Sequence, residues 1–123
     1  AASTTLTAGS LNNSSGNIVH AGQGTLTATL GSANTTGNHL TNTSGLLYSA
    51  GSLSVTADDV LTTSGTMSAS KNLGLLARGN INNSSGSVVS GAGMTLTATD
   101  LNNTQATINA GVLNTSNAGA TAT

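Results

Sequence analysis

The chain has no cysteine, proline, tryptophan or phenylalanine, and Tyr48 is its only aromatic residue. Without cysteine there is no disulfide scaffold, iron–sulfur cluster or thiolate zinc site. Charge is nearly as scarce. Asp58, Asp59, Asp100, Lys71 and Arg78 are the only charged residues among 123, and the formal net charge is −1. Two cations give no electrostatic footprint for nucleic acid or an anionic membrane. No apolar run approaches the roughly 18 residues of a membrane-spanning helix. No basic segment followed by an apolar one opens the chain, so a secretion signal is expected outside these residues.

Thr (22), Ser (17), Gly (16) and Asn (15) supply 70 of the residues. Such a composition invites a reading of disorder. Disorder, however, goes with high net charge and few apolar residues, whereas 36% of this chain is hydrophobic. One domain is the natural count for the length, provided the apolar residues are arranged to compensate for their number.

Internal repetition provides that arrangement. Leu-Asn-Asn-Ser-Ser-Gly at 11–16 returns as Leu-Thr-Asn-Thr-Ser-Gly at 40–45, Val-Leu-Thr-Thr-Ser-Gly at 60–65, Ile-Asn-Asn-Ser-Ser-Gly at 81–86 and Leu-Asn-Asn-Thr-Gln-Ala at 101–106. The apolar positions 11, 40, 60, 81 and 101 are 29, 20, 21 and 20 apart. The period is about 20, with one insertion of about nine residues. A second block, Thr25-Leu26-Thr27-Ala28, matches Ser54-Val55-Thr56-Ala57, Gly74-Leu75-Leu76-Ala77 and Thr95-Leu96-Thr97-Ala98, with Thr5-Leu6-Thr7-Ala8 as an earlier partial copy.

Aligned copies give apolar columns. The first is Leu11, Leu40, Val60, Ile81 and Leu101; the second is Ile18, Leu47, Met67, Val88 and Ile108. The third reads Leu6, Leu26, Val55, Leu75 and Leu96, with a weaker column of Gly24, Leu53, Leu73 and Met94 two residues earlier. No copy can bury three or four apolar side chains alone, but stacked copies form a continuous core. Ser, Thr, Asn and Gly disfavour helix interiors, and the apolar segments alternate with period 2 between turn residues. A leucine-rich repeat would need Leu-x-x-Leu-x-Leu, which is absent. The pattern predicts an all-β, right-handed parallel β-helix with three short strands per coil of about 20 residues. About five coils would make a rod of roughly 24 Å.

Other columns are polar. Gly16, Gly45, Gly65 and Gly86 mark a corner expected to need positive φ. Asn13, Asn42, Asn83 and Asn103, interrupted by Thr62, suit an amide ladder more than solvated turn residues. Ser10, His39, Asp59, Asn80 and Asp100 form a second turn column. There His39 and Asp59 fall one coil apart and Arg78 is within reach of Asp59, as weak pairs worth about 0–1 kcal/mol.

Motifs for chemistry are missing. His20 and His39 have no metal-ligand spacing. No serine sits in a nucleophile elbow. Asp58 and Asp59 are adjacent, so in an extended segment they point to opposite faces. Gly22-Gln23-Gly24 has no following lysine to make a phosphate loop. No catalytic residue, cofactor or metal is expected. The readable exception is the insertion at 30–39, a protrusion rich in turn formers. Loops on rigid scaffolds commonly carry binding, so Gly31, Asn34, Thr35, Thr36, Asn38 and His39 are the candidate partner-binding residues. The whole of 1–123 reads as one β-helical unit that ends in a low-complexity tail at 114–123.

At the repeat Leu-Asn-Asn-Ser-Ser-Gly-x-Ile/Val, followed by Leu-Thr-Ala, the chain resembles the haemagglutinin-repeat region of filamentous haemagglutinin-like exoproteins. These include two-partner-secretion adhesins and contact-dependent growth inhibition effectors of Gram-negative bacteria. The likeness runs from about Leu6 to Leu113. It implies a non-catalytic structural and adhesive module, part of a longer stalk on a secreted, cell-surface filament. It also implies export through an outer-membrane transporter and a receptor on a host or neighbouring cell, bound by the full-length protein. Uncapped coils further suggest end-to-end self-association. Two other functions compete. Ice binding could use Thr-x-Thr rows such as Thr25/Thr27 and Thr95/Thr97, but Gly74/Leu76 breaks them. A polysaccharide-degrading β-helix enzyme would need clustered carboxylates and aromatic platforms, for which three Asp and one Tyr are poor material.

Overall fold

The computed structural model describes residues 3–31, 37, 39–102, 107–109, 112–116 and 119–121. All elements there are strands. β1 (Thr4–Ala8), β2 (Leu11–Asn12) and β3 (Asn17–His20) begin the winding, followed by β4 (Thr25–Leu30), β5 (His39–Thr41) and β6 (Leu46–Ser49). Next come β7 (Ser52–Ala57), β8 (Asp59–Leu61) and β9 (Thr66–Ala69), then β10 (Leu73–Ala77), β11 (Asn80–Asn82) and β12 (Ser87–Ser90). β13 (Gly93–Thr97), β14 (Asp100–Asn102), β15 (Thr107–Asn109), β16 (Val112–Ser116) and β17 (Gly119–Thr121) complete it.

Every third strand pairs with the next in parallel. Sheet 1 runs β1-β4-β7-β10-β13-β16, sheet 2 runs β2-β5-β8-β11-β14-β17, and sheet 3 runs β3-β6-β9-β12-β15. This is a β-solenoid of roughly 21 residues per turn with three strands per coil, as the repeat predicts. Toward the C-terminus, β16 pairs with β13 and β17 with β14.

The core follows from alternation. In β4 and β7 every second residue is buried, and the same alternation holds in β6 and β9. In sheet 2, Leu11, Leu40, Val60, Ile81 and Leu101 stack in register. In sheet 3, Ile18, Leu47, Met67, Val88 and Ile108 do the same. The central members of these columns and those of sheet 1 merge into one buried cluster, with Leu6, Leu11, Ile18 and Ile108 partly buried against it. Each fully buried Leu, Ile or Val contributes about 1.5–3 kcal/mol of transfer free energy.

Sheet 1 corrects the expected third column. Leu26 pairs with Leu53 and Ala28 with Val55, while Leu6 pairs with Ala28. The true columns are Thr4, Leu26, Leu53, Leu73 and Met94, beside Leu6, Ala28, Val55, Leu75 and Leu96. The first full copy is thus shifted by two residues, which keeps every side chain on the same face. The extra residues of that copy are divided accordingly. Leu26 and Leu40 are 14 positions apart where Leu53 and Val60 are 7 apart. Ile18 and Leu26 are 8 apart where Leu47 and Leu53 are 6 apart. Seven extra residues therefore fall between sheets 1 and 2, and two between sheets 3 and 1.

The corner between sheets 2 and 3 is rebuilt in each coil. Gly16 N–H donates to Asn13 O, and the same turn closes from Gly45 to Asn42, Gly65 to Thr62 and Gly86 to Asn83. Positive φ belongs to the serine before the glycine: Ser15 (58°), Ser44 (55°), Ser64 (56°) and Ser85 (57°). The glycines serve a different need. A Cβ on Gly45, Gly65 or Gly86 would fall inside contact distance of a backbone carbonyl in the preceding coil: that of Asn13, Asn42 or Thr62 respectively. Coils are too close there for any side chain. The left-handed serines are held by hydrogen bonds to the next coil, with Ser15 N–H donating to Thr43 O (2.9 Å) and Ser44 N–H to Thr63 O (3.0 Å).

The amide ladder forms. Asn13 Nδ2 donates to Asn42 Oδ1 (2.8 Å), and Asn42 Nδ2 donates to Thr62 Oγ1 (3.2 Å). The second amide hydrogens close on backbone, from Asn13 Nδ2 to Leu46 O (2.9 Å) and from Asn42 Nδ2 to Thr66 O (2.8 Å). Thr62 is thus a rung, its hydroxyl standing where the amide oxygen would. Asn42, Thr62 and Asn83 are fully buried. Asn103 lies outside the described residues.

Candidate functional site

The insertion falls between β4 and β5, at the corner between sheets 1 and 2. Both of its expected ends are strand residues. Leu30 closes β4 and is fully buried, and His39 opens β5. Of the candidate binding residues, Gly31 and His39 are placed by the structure. Asn34, Thr35, Thr36 and Asn38 lie outside the described residues.

Gly31 turns the chain out of the sheet with φ 68°, a conformation glycine adopts without steric cost. Its N–H donates to Ala8 O (2.8 Å), so the departure point is tied to the coil before it. On the return side, Ser10 Oγ donates to Gly37 O (3.3 Å).

Arg78 fastens the other side of this departure. Its Nε donates to Asp58 Oδ1 at 2.6 Å, and its Nη2 donates to Leu30 O at 2.8 Å. The guanidinium thus bridges from its own coil, across the coil of Asp58, to the last residue before the insertion. The side chains of Arg78 and Asp58 are only 22% and 14% exposed, so water screens this pair less than a surface pair. The expected Arg78–Asp59 contact is replaced. Asp59 instead accepts from Asn80 N–H (2.8 Å) through Oδ1. Its Oδ2 stands 3.3 Å from His39 Nδ1, within ion-pair range when the imidazole is protonated but off the line of a hydrogen bond. Asp58 and Asp59 thus serve different partners, and they do so from different local settings: Asp58 is the bend between β7 and β8, whereas Asp59 opens β8. Asp58 is the participant that the sequence reading missed, although it lies one period before Arg78.

Among the described residues no three His, Cys, Asp or Glu side chains converge on a metal-sized site.

The outer face of sheet 1 bears the threonine rows in their true register. One row is Thr5, Thr27, Ser54, Gly74 and Thr95, and its neighbour is Thr7, Thr29, Thr56, Leu76 and Thr97. Gly74 and Leu76 interrupt both rows in the same coil, so a regular hydroxyl lattice of the kind ice binding requires is broken here also.

Comparison with known proteins agrees with the winding. No curated protein sequence and no solved structure gives a significant match to the chain. A family model does, three times over. The model described as the haemagglutinin repeat, a structural, adhesin-type repeat of filamentous haemagglutinin-like proteins, matches residues 1–46, 21–85 and 48–122. Those overlapping matches run along the same coils that the three sheets stack in register, and the chain belongs to the haemagglutinin-repeat family.

Proposed function

We propose that residues 1–123 form a section of the stalk of a secreted filament on the surface of a Gram-negative bacterium, a structural and adhesive module without catalysis. The observation that carries this reading is the uninterrupted register of three parallel sheets around one apolar core. Each coil is a template for the next, so the architecture lengthens by adding coils and holds whatever it carries away from its anchor. Export as an unfolded chain through an outer-membrane transporter of the two-partner type suits a sequence without proline or cysteine, since neither isomerisation nor disulfide exchange slows winding outside. In this reading the insertion between Leu30 and His39, with Gly31, Asn34, Thr35, Thr36, Asn38 and His39, presents the receptor contact to a host or neighbouring cell. A filament that delivers a growth-inhibiting domain would use the same stalk.

The test has two arms. Expressed behind a leader of the two-partner route, the chain should reach the cell surface only with the cognate transporter. Purified, it should bind target cells, and removal of 31–38 should abolish that binding while the melting temperature changes little. Surface delivery without a transporter would sink the export reading. Undiminished cell binding by the loop-deleted chain would sink the assignment of the contact to the insertion.

A further inference from the structure

The coil that interrupts the threonine rows does so in a particular way. Gly74 and Leu76 are neighbours on the outer face of β10, and Leu76 is 44% exposed, one of two large hydrophobics so exposed among the described residues. Gly74 leaves the opposite relief. A Cβ built on it meets nothing within 4 Å. Gly74 lines a shallow hollow of about 400 Å³ together with Ser52, Ser54, Asn72, Gly93 and Thr95. An apolar knob thus stands beside a hollow, two residues along the same strand.

We propose that two copies of this chain pair side by side through the outer face of sheet 1, with Leu76 of each copy seated in the hollow over Gly74 of the other. A two-fold axis parallel to the rod, passing over Leu75, exchanges positions 74 and 76 and makes the contact reciprocal, as an isologous interface requires. The same axis sets Thr27 against Thr29, Ser54 against Thr56 and Thr95 against Thr97 of the other copy, so hydroxyl meets hydroxyl in the coils that flank the knob. No strand of sheet 1 contains a charged residue, so the faces meet without repulsion. Six strands about 4.8 Å apart and five residues long at about 3.3 Å each offer roughly 480 Å² per copy. The pair would bury roughly 950 Å², below the usual 1,200–2,000 Å² of stable interfaces, so pairing is reversible at this length. The proposal does not depend on the adhesive reading.

Sedimentation equilibrium on the 123-residue chain tests it, with Leu76→Thr, Gly74→Thr and, as a control, Val19→Thr. Val19 is 59% exposed on the outer face of sheet 3, away from the pairing face. The wild type and the Val19→Thr chain should form reversible dimers. Leu76→Thr and Gly74→Thr should each weaken dimerisation at least about tenfold, the first by removing the knob and the second by filling the hollow. The monomer accommodates Gly74→Thr, because the new Cβ enters open space and threonine favours a strand. Its melting temperature should hold or rise while dimerisation falls, which separates lost pairing from lost folding. A wild type that stays monomeric at millimolar concentration would overturn the proposal. So would association that both variants leave unchanged, which is the signature of coils stacking end to end. Loss on only one of the two substitutions would overturn the reciprocal seating.

Discussion

Two corners of the same rod are held by different means. The corner between sheets 2 and 3 is alike in coil after coil, with a left-handed serine, a glycine and a buried Asn or Thr rung each time. It uses no charge, and each coil satisfies its neighbour with a copy of itself. The corner between sheets 1 and 2 repeats a backbone bond, Gly31 N–H to Ala8 O and Arg78 N–H to Ala57 O, but no side-chain ladder. It holds Arg78 on Asp58 and Leu30, Asp59 on Asn80, and the departure of the insertion. A corner made of stacked identical groups cannot admit extra residues without breaking two rungs. A corner held by long individual side chains can be rearranged locally. This difference explains why the insertion sits where it does, and it ranks the substitutions that would test it.

The largest effect is expected at the repeated corner, from Asn42→Leu. Asn42 is fully buried, accepts from Asn13 Nδ2 and donates to both Thr62 Oγ1 and Thr66 O. Leucine has similar volume but withdraws one hydrogen bond from each of those partners in a dry interior, although Asn13 Nδ2 keeps its bond to Leu46 O. Stranded groups cost about 1–3 kcal/mol each, and Thr66 O and the Asn13 amide are the exposed liabilities. A loss of roughly 3 kcal/mol follows, read as a lower midpoint in urea denaturation. A change under about 0.5 kcal/mol, the size of an ordinary surface substitution, would show that the ladder follows from the fold and does not help hold it.

Gly65→Ala comes next and sharpens the comparison, because it separates two reasons for a glycine. Ser64 has the left-handed backbone, yet it already bears a Cβ. Gly65 has the crowded position, against the carbonyl of Asn42. Ser64→Ala should therefore be nearly neutral, whereas Gly65→Ala forces two coils apart at a cost of about 1–3 kcal/mol. Equal effects in thermal unfolding would mean that conformation, not close approach, selects the glycine.

These residues also mark how far the sequence could be read. The columns through Leu40 and Leu47 are legible because a turn of the form Asn/Thr-x-Ser-Gly pins their register at 13–16, 42–45, 62–65 and 83–86. The column through Leu26 was not. A slip of two residues preserves facing, and only the third inward residue of β4, Leu30, distinguishes the alignments. Positive φ was assigned to the glycines because glycine tolerates it best. The serines take it instead, since the hydrogen bond to the next coil compensates for the αL conformation. The rung at Thr62 was read as a gap because a hydroxyl does not look like an amide in sequence, although it accepts the same hydrogen. Asp58 belongs to no column, so the sequence pointed Arg78 to Asp59, which does; the bend at Asp58 brings its carboxylate to Arg78 instead. For the candidate loop, the sequence bounds the insertion at Leu30 and His39, where the winding claims both as strand residues.

At the variable corner, Arg78→Gln should cost about 1–2 kcal/mol, more than a solvated pair and less than a fully buried one. Read from the sequence as a weak pair, it is worth about 0–1 kcal/mol. The revision comes from the low exposure of both side chains and from the bond to Leu30 O. The loss should be local. Amide exchange at Gly31 should accelerate while that of Val60 and Ile81 in sheet 2 stays slow, because the columns do not pass through Arg78. Uniform acceleration across all three sheets would mean that the clasp supports the whole winding and that the two corners are not independent.

The smallest effect belongs to His39→Gln. His39 and Asp59 are 44% and 34% exposed at the pair, a separation of 3.3 Å without hydrogen-bond alignment. Exposed pairs of this kind contribute about 0–1 kcal/mol and are screened by salt. Asp59 keeps its bond to Asn80 N–H whatever stands at position 39, so its carboxylate does not lose its structural partner. Glutamine preserves the strand pairing of β5 with β8, which runs through backbone. The expected change in stability is therefore under about 0.5 kcal/mol. If His39 contributes to the receptor contact, binding of target cells should fall in this variant while stability does not, so the substitution isolates function from fold. A destabilisation above about 1 kcal/mol, beyond the usual range for exposed pairs, would place His39 with the structural residues of the corner and remove it from the candidate binding set.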